Sequence, residues 1–262
     1  MLRYLRLYAY FLRFSFSKAF EFRVDFWFRV VMDALYYAVN IAFYRVLYGH
    51  TELLAGWDMQ QVMVFVGAYL VVDALNMTVF ANNLWWLPIH VNKGNLDYYL
   101  VRPVSPMFFL TLREFAANSF VNLLMAVGIL VWAMGQLPQW PDPVSLLVFG
   151  LLLVDGTLLY SMLHFLMLLP VFWIHSGRGL GAIYFLLTRA TERPDGIFHG
   201  WVRRILVTVL PFAVMASFPS RALLDGQAGA IALHMALVTA GLFGVTLLVW
   251  RFALRAYSSA SS

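Results

Sequence analysis

The sequence predicts an all-α membrane protein of six transmembrane helices. An amphipathic helix at the membrane surface precedes them, and a polar, turn-rich loop follows the second span. Three observations carry this reading. Of the 262 residues, 62% are apolar and 12% charged, with a mean hydropathy of +0.76, whereas a soluble domain is about a quarter charged. The apolar residues gather in runs of about 20 or more, the length a bilayer requires. The basic residues collect in alternate connections. Six spans with their connections use most of the chain, so residues 1–262 read as one membrane domain with no separate catalytic domain. The net charge of +5 is a topology signal, and nothing in its distribution calls for nucleic acid.

Residues 1–22 are not a signal peptide, because charge repeatedly interrupts their apolar part and no small-residue cleavage site follows. Arg3, Arg6, Tyr10, Arg13, Ser17 and Glu21 recur every three or four residues. That spacing puts them on one helix face, with Leu, Phe and Tyr opposite, as in a basic helix lying in the membrane interface. The first span is read at about 24–48 and the second at about 59–87, ending at Trp85-Trp86 as an aromatic anchor. The third is read at about 107–135, the fourth at about 144–174 and the last at about 229–250. QLPQWPDP (136–143) is a turn, and 253–262 is expected to be a disordered tail.

Between 175 and 226 two outlines fit. In one, about 201–219 spans the membrane and 175–200 is cytoplasmic. In the other, the fifth span runs from about Gly179 to Phe198, and 199–226 enters the membrane from outside and returns, bent at Pro211 and Pro219. The first leaves only Arg45 and Arg221 outside, and the second adds Arg189, Arg193, Arg203 and Arg204 to them. Either way the basic excess places both termini and the 88–106 loop in the cytoplasm.

Several chemistries are absent. There is no cysteine, hence no disulfide, thiolate metal site or cysteine nucleophile. There is no GxxxxGK[ST] phosphate loop and no GxSxG elbow. His50, His90, His164, His175, His199 and His234 are too scattered to bind metal from one helix turn. No enzymatic site is expected.

Polar residues inside the spans are the candidates for a pathway: Asp33, Asn40, Asp73, Asn76, Asn118, Asn122 and Asp155, with Asn82, Asn83 and His164 beside them. An ionised group at the bilayer centre costs about 3 kcal/mol on insertion scales, so such residues face the bundle interior or a wet cavity. Asp33 with Asn40, and Asn118 with Asn122, share helix faces. Helix-to-helix hydrogen bonding explains asparagines of this kind equally well.

The loop 88–106 is the one polar, turn-rich stretch between apolar runs in the first half. It reads Lys93-Gly94-Asn95-Leu96-Asp97-Tyr98-Tyr99-Leu100-Val101-Arg102-Pro103-Val104-Ser105-Pro106. Gly94 and Pro103 bracket a short rigid element. Asp97 and Arg102 offer charge to a soluble partner, and Tyr98 and Tyr99 offer the anchor area of an interface hot spot. A merely solvated loop is the plainer account.

This loop resembles the stretch after the second span in the membrane subunits of type-2 ABC exporters, where a basic residue, Gly, a Leu-acidic pair, Leu and a Pro turn recur. A second stretch, Pro194, Trp201, Arg203 and Pro211, resembles that family's re-entrant element before the last span and so favours the second outline. The resemblance implies the permease subunit of an exporter in a bacterial inner membrane. It would pair with a second copy or a sister permease and dock on an ATP-binding subunit through a coupling helix at 93–103. This chain is expected to bind no cofactor itself, with ATP and Mg on the partner; membrane lipids are the other partner. Two other classes stay open: an ion-coupled secondary transporter using Asp33, Asp73 and Asp155, and a membrane anchor for a soluble complex. The substrate is not legible.

Overall fold

A computed structural model describes residues 2–21 and 23–257, and among these all regular structure is helical. Five helices are long and apolar enough to cross a membrane: Arg23–Tyr48, Met59–Asn92, Ala117–Met134, Pro143–Ile174 and Ala228–Ala256. A bent pair, Gly200–Val209 and Val214–Leu224, makes up to six if counted as one span. Helix α1 is Leu2–Glu21 and α2 is Arg23–Tyr48. The second span is α3 (Met59–Asn76), a π-helical turn Met77–Ala81, α4 (Asn82–Trp85) and α5 (Leu87–Asn92). Then come α6 (Asp97–Leu100), α7 (Pro106–Leu112), α8 (Ala117–Met134), α9 (Pro143–Leu168), α10 (Val171–Ile174) and α11 (Gly177–Thr188). The chain ends with α12 (Gly200–Arg204), a π-helical turn Ile205–Val209, α13 (Val214–Leu224) and α14 (Ala228–Ala256).

Helix α3 is the centre of the bundle. From Val62 to Val72 it is apolar on all sides and every residue is buried, as expected of a helix enclosed by others. It packs on α8, α13, α9 and α2. Asp58 caps its start, with its carboxylate accepting from the Gln61 N–H at 2.9 Å and the Gln61 side chain accepting from the Asp58 N–H at 3.1 Å. Helix α9 starts in the same manner, because the Asp142 carboxylate accepts from the Val144 and Ser145 N–H groups. Hydrogen bonds from Ser145 hold the Asp142 carboxyl below its ordinary value, so this cap persists as pH falls until that lowered value is passed.

Two glycines allow backbones to touch. A Cβ built on Gly67 of α3 would stand 2.8 Å from the Leu130 Cα of α8, and one on Gly156 of α9 would overlap the Met215 carbonyl oxygen of α13. Small residues at such crossings let membrane helices approach closely. The outer faces of α2 and α14 carry exposed Val24, Trp27, Leu35, Leu233 and Leu237, the surface of bilayer-facing helices.

The fold redraws several boundaries. The third span begins at Ala117, not at 107, because α7 stops at Leu112 and residues 113–116 are not helical. Trp85 is not a surface anchor. Its ring packs against His164 at 4.7 Å and stacks on Phe185 at 5.1 Å, while Trp86 is exposed. The last helix runs on through Ala256, so 253–256 is not tail; 258–262 lie outside the described residues. The outline that grouped 175–200 with the 88–106 loop holds only at its start, where the Asn92 amide donates to the His175 carbonyl at 3.1 Å. Arg193 stacks 4.2 Å over Phe43, and the Glu192 carbonyl accepts from Tyr44. Segment 189–193 therefore sits at the Tyr48 end of α2, away from the 88–106 loop. The alternative fifth span to Phe198 is too long, since α11 ends at Thr188.

Gly156→Val is expected to destabilise the protein by about 1–3 kcal/mol, the usual cost of overpacking. Gly128→Val, where a Cβ meets nothing within 4 Å, is expected to leave thermal unfolding in detergent unchanged.

Candidate functional site

A second hydrophobic cluster sits at one end of the bundle, apart from the main core. It joins Leu87, Leu96, Tyr99 and Phe109 to Phe165, Phe172 and Trp250. The 93–105 segment rests on it. Gly94 has a φ of 72°, a left-handed conformation that costs a glycine nothing. The turn it makes sets up α6, which buries Leu96 and Tyr99 and leaves Tyr98 56% exposed. Arg102 stacks 3.9 Å over the Tyr98 ring. Lys93 and Pro103 are exposed, and Asp97 is half-buried beside Tyr257. Burial pushes the Tyr257 phenol up, and the neighbouring Asp97 carboxylate adds to it. Tyr99 does not offer the anchor area read for it. Its hydroxyl accepts from Arg113 at 2.7 Å and meets the His90 ring at 3.3 Å, so it is an internal strut. The outward surface of α6 is Tyr98 with Arg102.

Helix α1 is tied to the same segment. The Tyr4 hydroxyl accepts from the Ser105 N–H at 3.2 Å, and Tyr4 packs edge-on against Phe108. Phe11 meets Phe109 at 5.2 Å, and the Ser15 hydroxyl accepts from the Phe115 N–H. These residues are one stripe of α1, while Arg3, Arg6, Tyr10, Arg13 and Ser17 are exposed on the rest.

The break at 113–116 is held by a clamp that the sequence does not announce. The Asn83 amide donates to the Glu114 carbonyl at 2.8 Å, and its oxygen accepts from the Glu114 N–H at 2.7 Å. Asn82 donates to the Glu114 carboxylate, and the Ala116 N–H donates to the Thr78 carbonyl inside the π-helical turn. Thus α6 and α7 connect mechanically to α3 and α8.

Beyond this clamp lies a cavity of about 670 Å³ between α2, α3, α8, α9 and α11. It gathers Asp33, Asp73, Asn118 and Asn122 of the expected pathway residues. It adds Glu192 and tyrosines at 36, 37, 69 and 160, for which composition gave no signal. Asn122 donates its amide N–H to Asp33, and the Tyr36 and Tyr69 hydroxyls share a 2.6 Å hydrogen bond. A groove of about 690 Å³ beside α1 and α6 shares Asp25, Arg29, Met77, Asn118 and Ser119 with this cavity. Asn40, Asn76 and Asp155 lie elsewhere. Asn40 donates back to the Tyr36 carbonyl, Asn76 is buried beside Tyr184, and Asp155 accepts from Thr239 of α14 at 3.0 Å.

At the opposite end, Asp195 is fully buried and collects two arginines. Arg203 donates to one oxygen at 2.6 Å and Arg221 to the other at 2.8 Å. Ser217 accepts from the Asp195 N–H, and Arg221 stacks 5.1 Å over Trp57. Of the residues read together here, Pro194 starts the turn, Arg203 reaches its carboxylate, Pro211 lies at the bend, and Trp201 is 72% exposed. The bend between the helices is 95°. Residues from Phe212 to Ser217 are buried against α3, α9 and α14.

The described residues thus form a helical bundle with a polar cavity, a tied-down segment at one end and no group of side chains placed to hold a metal ion. The family profile described as ABC-2 family transporter protein matches residues 34–261, and the chain belongs to that family. It is a membrane permease component of an ABC transporter, a class whose membrane subunits are normally non-catalytic. No curated protein and no solved structure matched it.

Asn83→Ala is expected to cost about 1–3 kcal/mol, since it leaves the Glu114 N–H and C=O unpaired. Asp195→Ala is expected to cost about 1.5–3 kcal/mol, the loss of the charge-assisted hydrogen bonds that Arg203 and Arg221 make to it. Arg203→Ala is expected to cost less, its side chain being 46% exposed. Thermal melts of the purified variants in one detergent check the order.

Proposed function

We propose that this chain is the membrane subunit of an ATP-driven exporter, working as a pair with a second copy or a sister permease. An ATP-binding subunit carrying ATP and Mg docks at the 93–103 segment. The observation that carries this reading is α6: a short helix whose inner side is locked into the end cluster and whose outer side presents Tyr98 and Arg102. A push on it reaches α1 through Ser105 and Phe109, and reaches α3 and α8 through Asn83 and Glu114. The cavity at Asp33 and Asp73 lies at the far end of those connections and serves as part of the substrate pathway. Exposed arginines on α1 suit either anionic lipid or the ATP-binding subunit.

The bent pair is read as a re-entrant element. Arg203 and Arg221 meet on one carboxylate, whereas a straight helix between them would separate the two by about 27 Å. Entry and exit on the same side follow. With both termini cytoplasmic in a bacterial inner membrane, that side is the outside. Ion-coupled transport without ATP is the second reading, favoured by Asp33 and Asp73 facing one cavity.

Co-expression with an ATP-binding subunit is expected to give a stable complex with vanadate-sensitive ATP hydrolysis. Arg102→Glu and Tyr98→Ala are expected to cut that turnover about tenfold or more, as for interface hot spots, while membrane insertion is unchanged. Full turnover in both would refute the docking assignment. Because the chain has no cysteine, single cysteines report sidedness directly. In whole cells a membrane-impermeant maleimide is expected to label Trp201→Cys and Asp225→Cys but not Lys93→Cys; labelling of only one of the first two would defeat re-entrance.

A further inference from the structure

The cavity between α2, α3, α8, α9 and α11 has an excess of acid and of acceptors. Four carboxylates line it, Asp25, Asp33, Asp73 and Glu192, against two guanidiniums, Arg29 and Arg189. Both guanidiniums are drawn aside, Arg29 to Asp25 at 2.8 Å and Arg189 to Glu192 at 3.5 Å. Among the described residues Asp33 and Asp73 form no ion pair. Asp33 has the Asn122 amide and the nearby charge of Arg29, and Asp73 a hydrogen bond with Tyr160; carboxylates without an ion pair at membrane depth are still costly, and a cationic ligand offsets that cost.

An independent observation points the same way. Asn122 is 2% exposed and lines the cavity, and its amide N–H is spent on Asp33. Its carbonyl oxygen Oδ1 is buried with no partner. An unmatched buried acceptor is rare and costs about 1–3 kcal/mol. Beside two carboxylates, it calls for a ligand that brings N–H donors.

Size and walls narrow the class. The acids are not clustered closely enough to hold a metal ion. A volume of about 670 Å³ falls within the range of pockets for drug-sized molecules. Tyr36, Tyr37, Tyr69 and Tyr160 supply aromatic faces, which attract cations and cover apolar carbon.

We propose that this cavity binds an amphipathic organic cation carrying at least one N–H group, an amine or amidine on an aromatic or aliphatic body. The charged nitrogen sits between Asp33 and Asp73, an N–H donates to Asn122 Oδ1, and the body lies on the tyrosines. That this ligand is the transported cargo rests on the permease reading; the binding site itself does not.

The test uses the full chain in phosphatidylcholine nanodiscs, with and without the ATP-binding subunit, and reads dye binding by fluorescence anisotropy. Proflavine, an aromatic cation with amino groups, is the probe, and fluorescein is the anionic control. Saturable proflavine binding is expected, weakened about tenfold or more in Asp33→Asn and in Asp73→Asn, the loss of one charged contact. Asn122→Leu is expected to weaken it less, and Asp155→Asn not at all. Size-exclusion profiles identify any variant that fails to fold, and the two aspartate variants then stand in for each other. Equal affinity for the two dyes, or proflavine binding retained in both aspartate variants, overturns the proposal. So does a changed oligomeric state in Asp33→Asn with binding intact, which would mean that a second copy covers the acids. Dye binding by a chain that forms no complex with the ATP-binding subunit would defeat the permease reading and leave the site standing. A functional complex indifferent to proflavine would do the reverse.

Discussion

In hydrocarbon an unpaired backbone N–H or C=O costs several kcal/mol, so any departure from a continuous helix needs its own partners. Two departures among the described residues each have a dedicated polar device. At 113–116 the backbone leaves the helix, and the Asn83 side chain satisfies both main-chain groups of Glu114. The π-helical turn in the second span leaves the Thr78 carbonyl available to Ala116. At 210–213 the chain bends by 95°. There the Ala213 N–H finds the Leu206 carbonyl, and the flanking helices are gathered on Asp195. Pro211, which has no N–H to satisfy, lies at the bend.

The two devices sit at opposite ends of α3, whose burial from Val62 to Val72 makes it a common wall for the helices around it. Because α3 touches α2, α8, α9 and α13, movement at either end is felt by the whole bundle. Close backbone approach at Gly67 and Gly156 leaves little slack for independent sliding. A tightly packed core of this kind responds by switching between arrangements rather than by bending gradually. The segment carrying α6 and α7 is tied through the Asn83–Glu114 clamp to α3 and α8, which with α2 line the cavity that holds Asp33 and Asp73.

The polar residues of the spans divide by what surrounds them, not by type. Asp155 and Asp33 are both aspartates in apolar helices. Asp155 meets a threonine on a neighbouring helix and acts as a tie, whereas Asp33 opens on a cavity with Asp73 and Glu192. Asn40 spends its amide on its own helix, and Asn122 spends only half of its own. Hydropathy treats all of these alike.

Composition and periodicity by themselves determined the class, the places of five long apolar runs, the amphipathic first helix and the polar segment between the second and third spans. These follow from local chemistry: an apolar run of bilayer length and a repeating polar stripe are properties of a short stretch of chain. The Lys93 to Pro106 pattern and the Pro194 to Pro211 pattern pointed to the family for the same reason. Tertiary structure decided what depends on residues far apart in sequence. Only packing separates Tyr98, which faces outward, from Tyr99, which is bonded to His90 and Arg113. Only packing brings Arg203 and Arg221 to one carboxylate, or Glu114 to Asn83. The placement of Asp33, Asp73, Asn122 and Glu192 around one cavity belongs to the same kind, because three helices and the turn after α11 must meet before their side chains share a space.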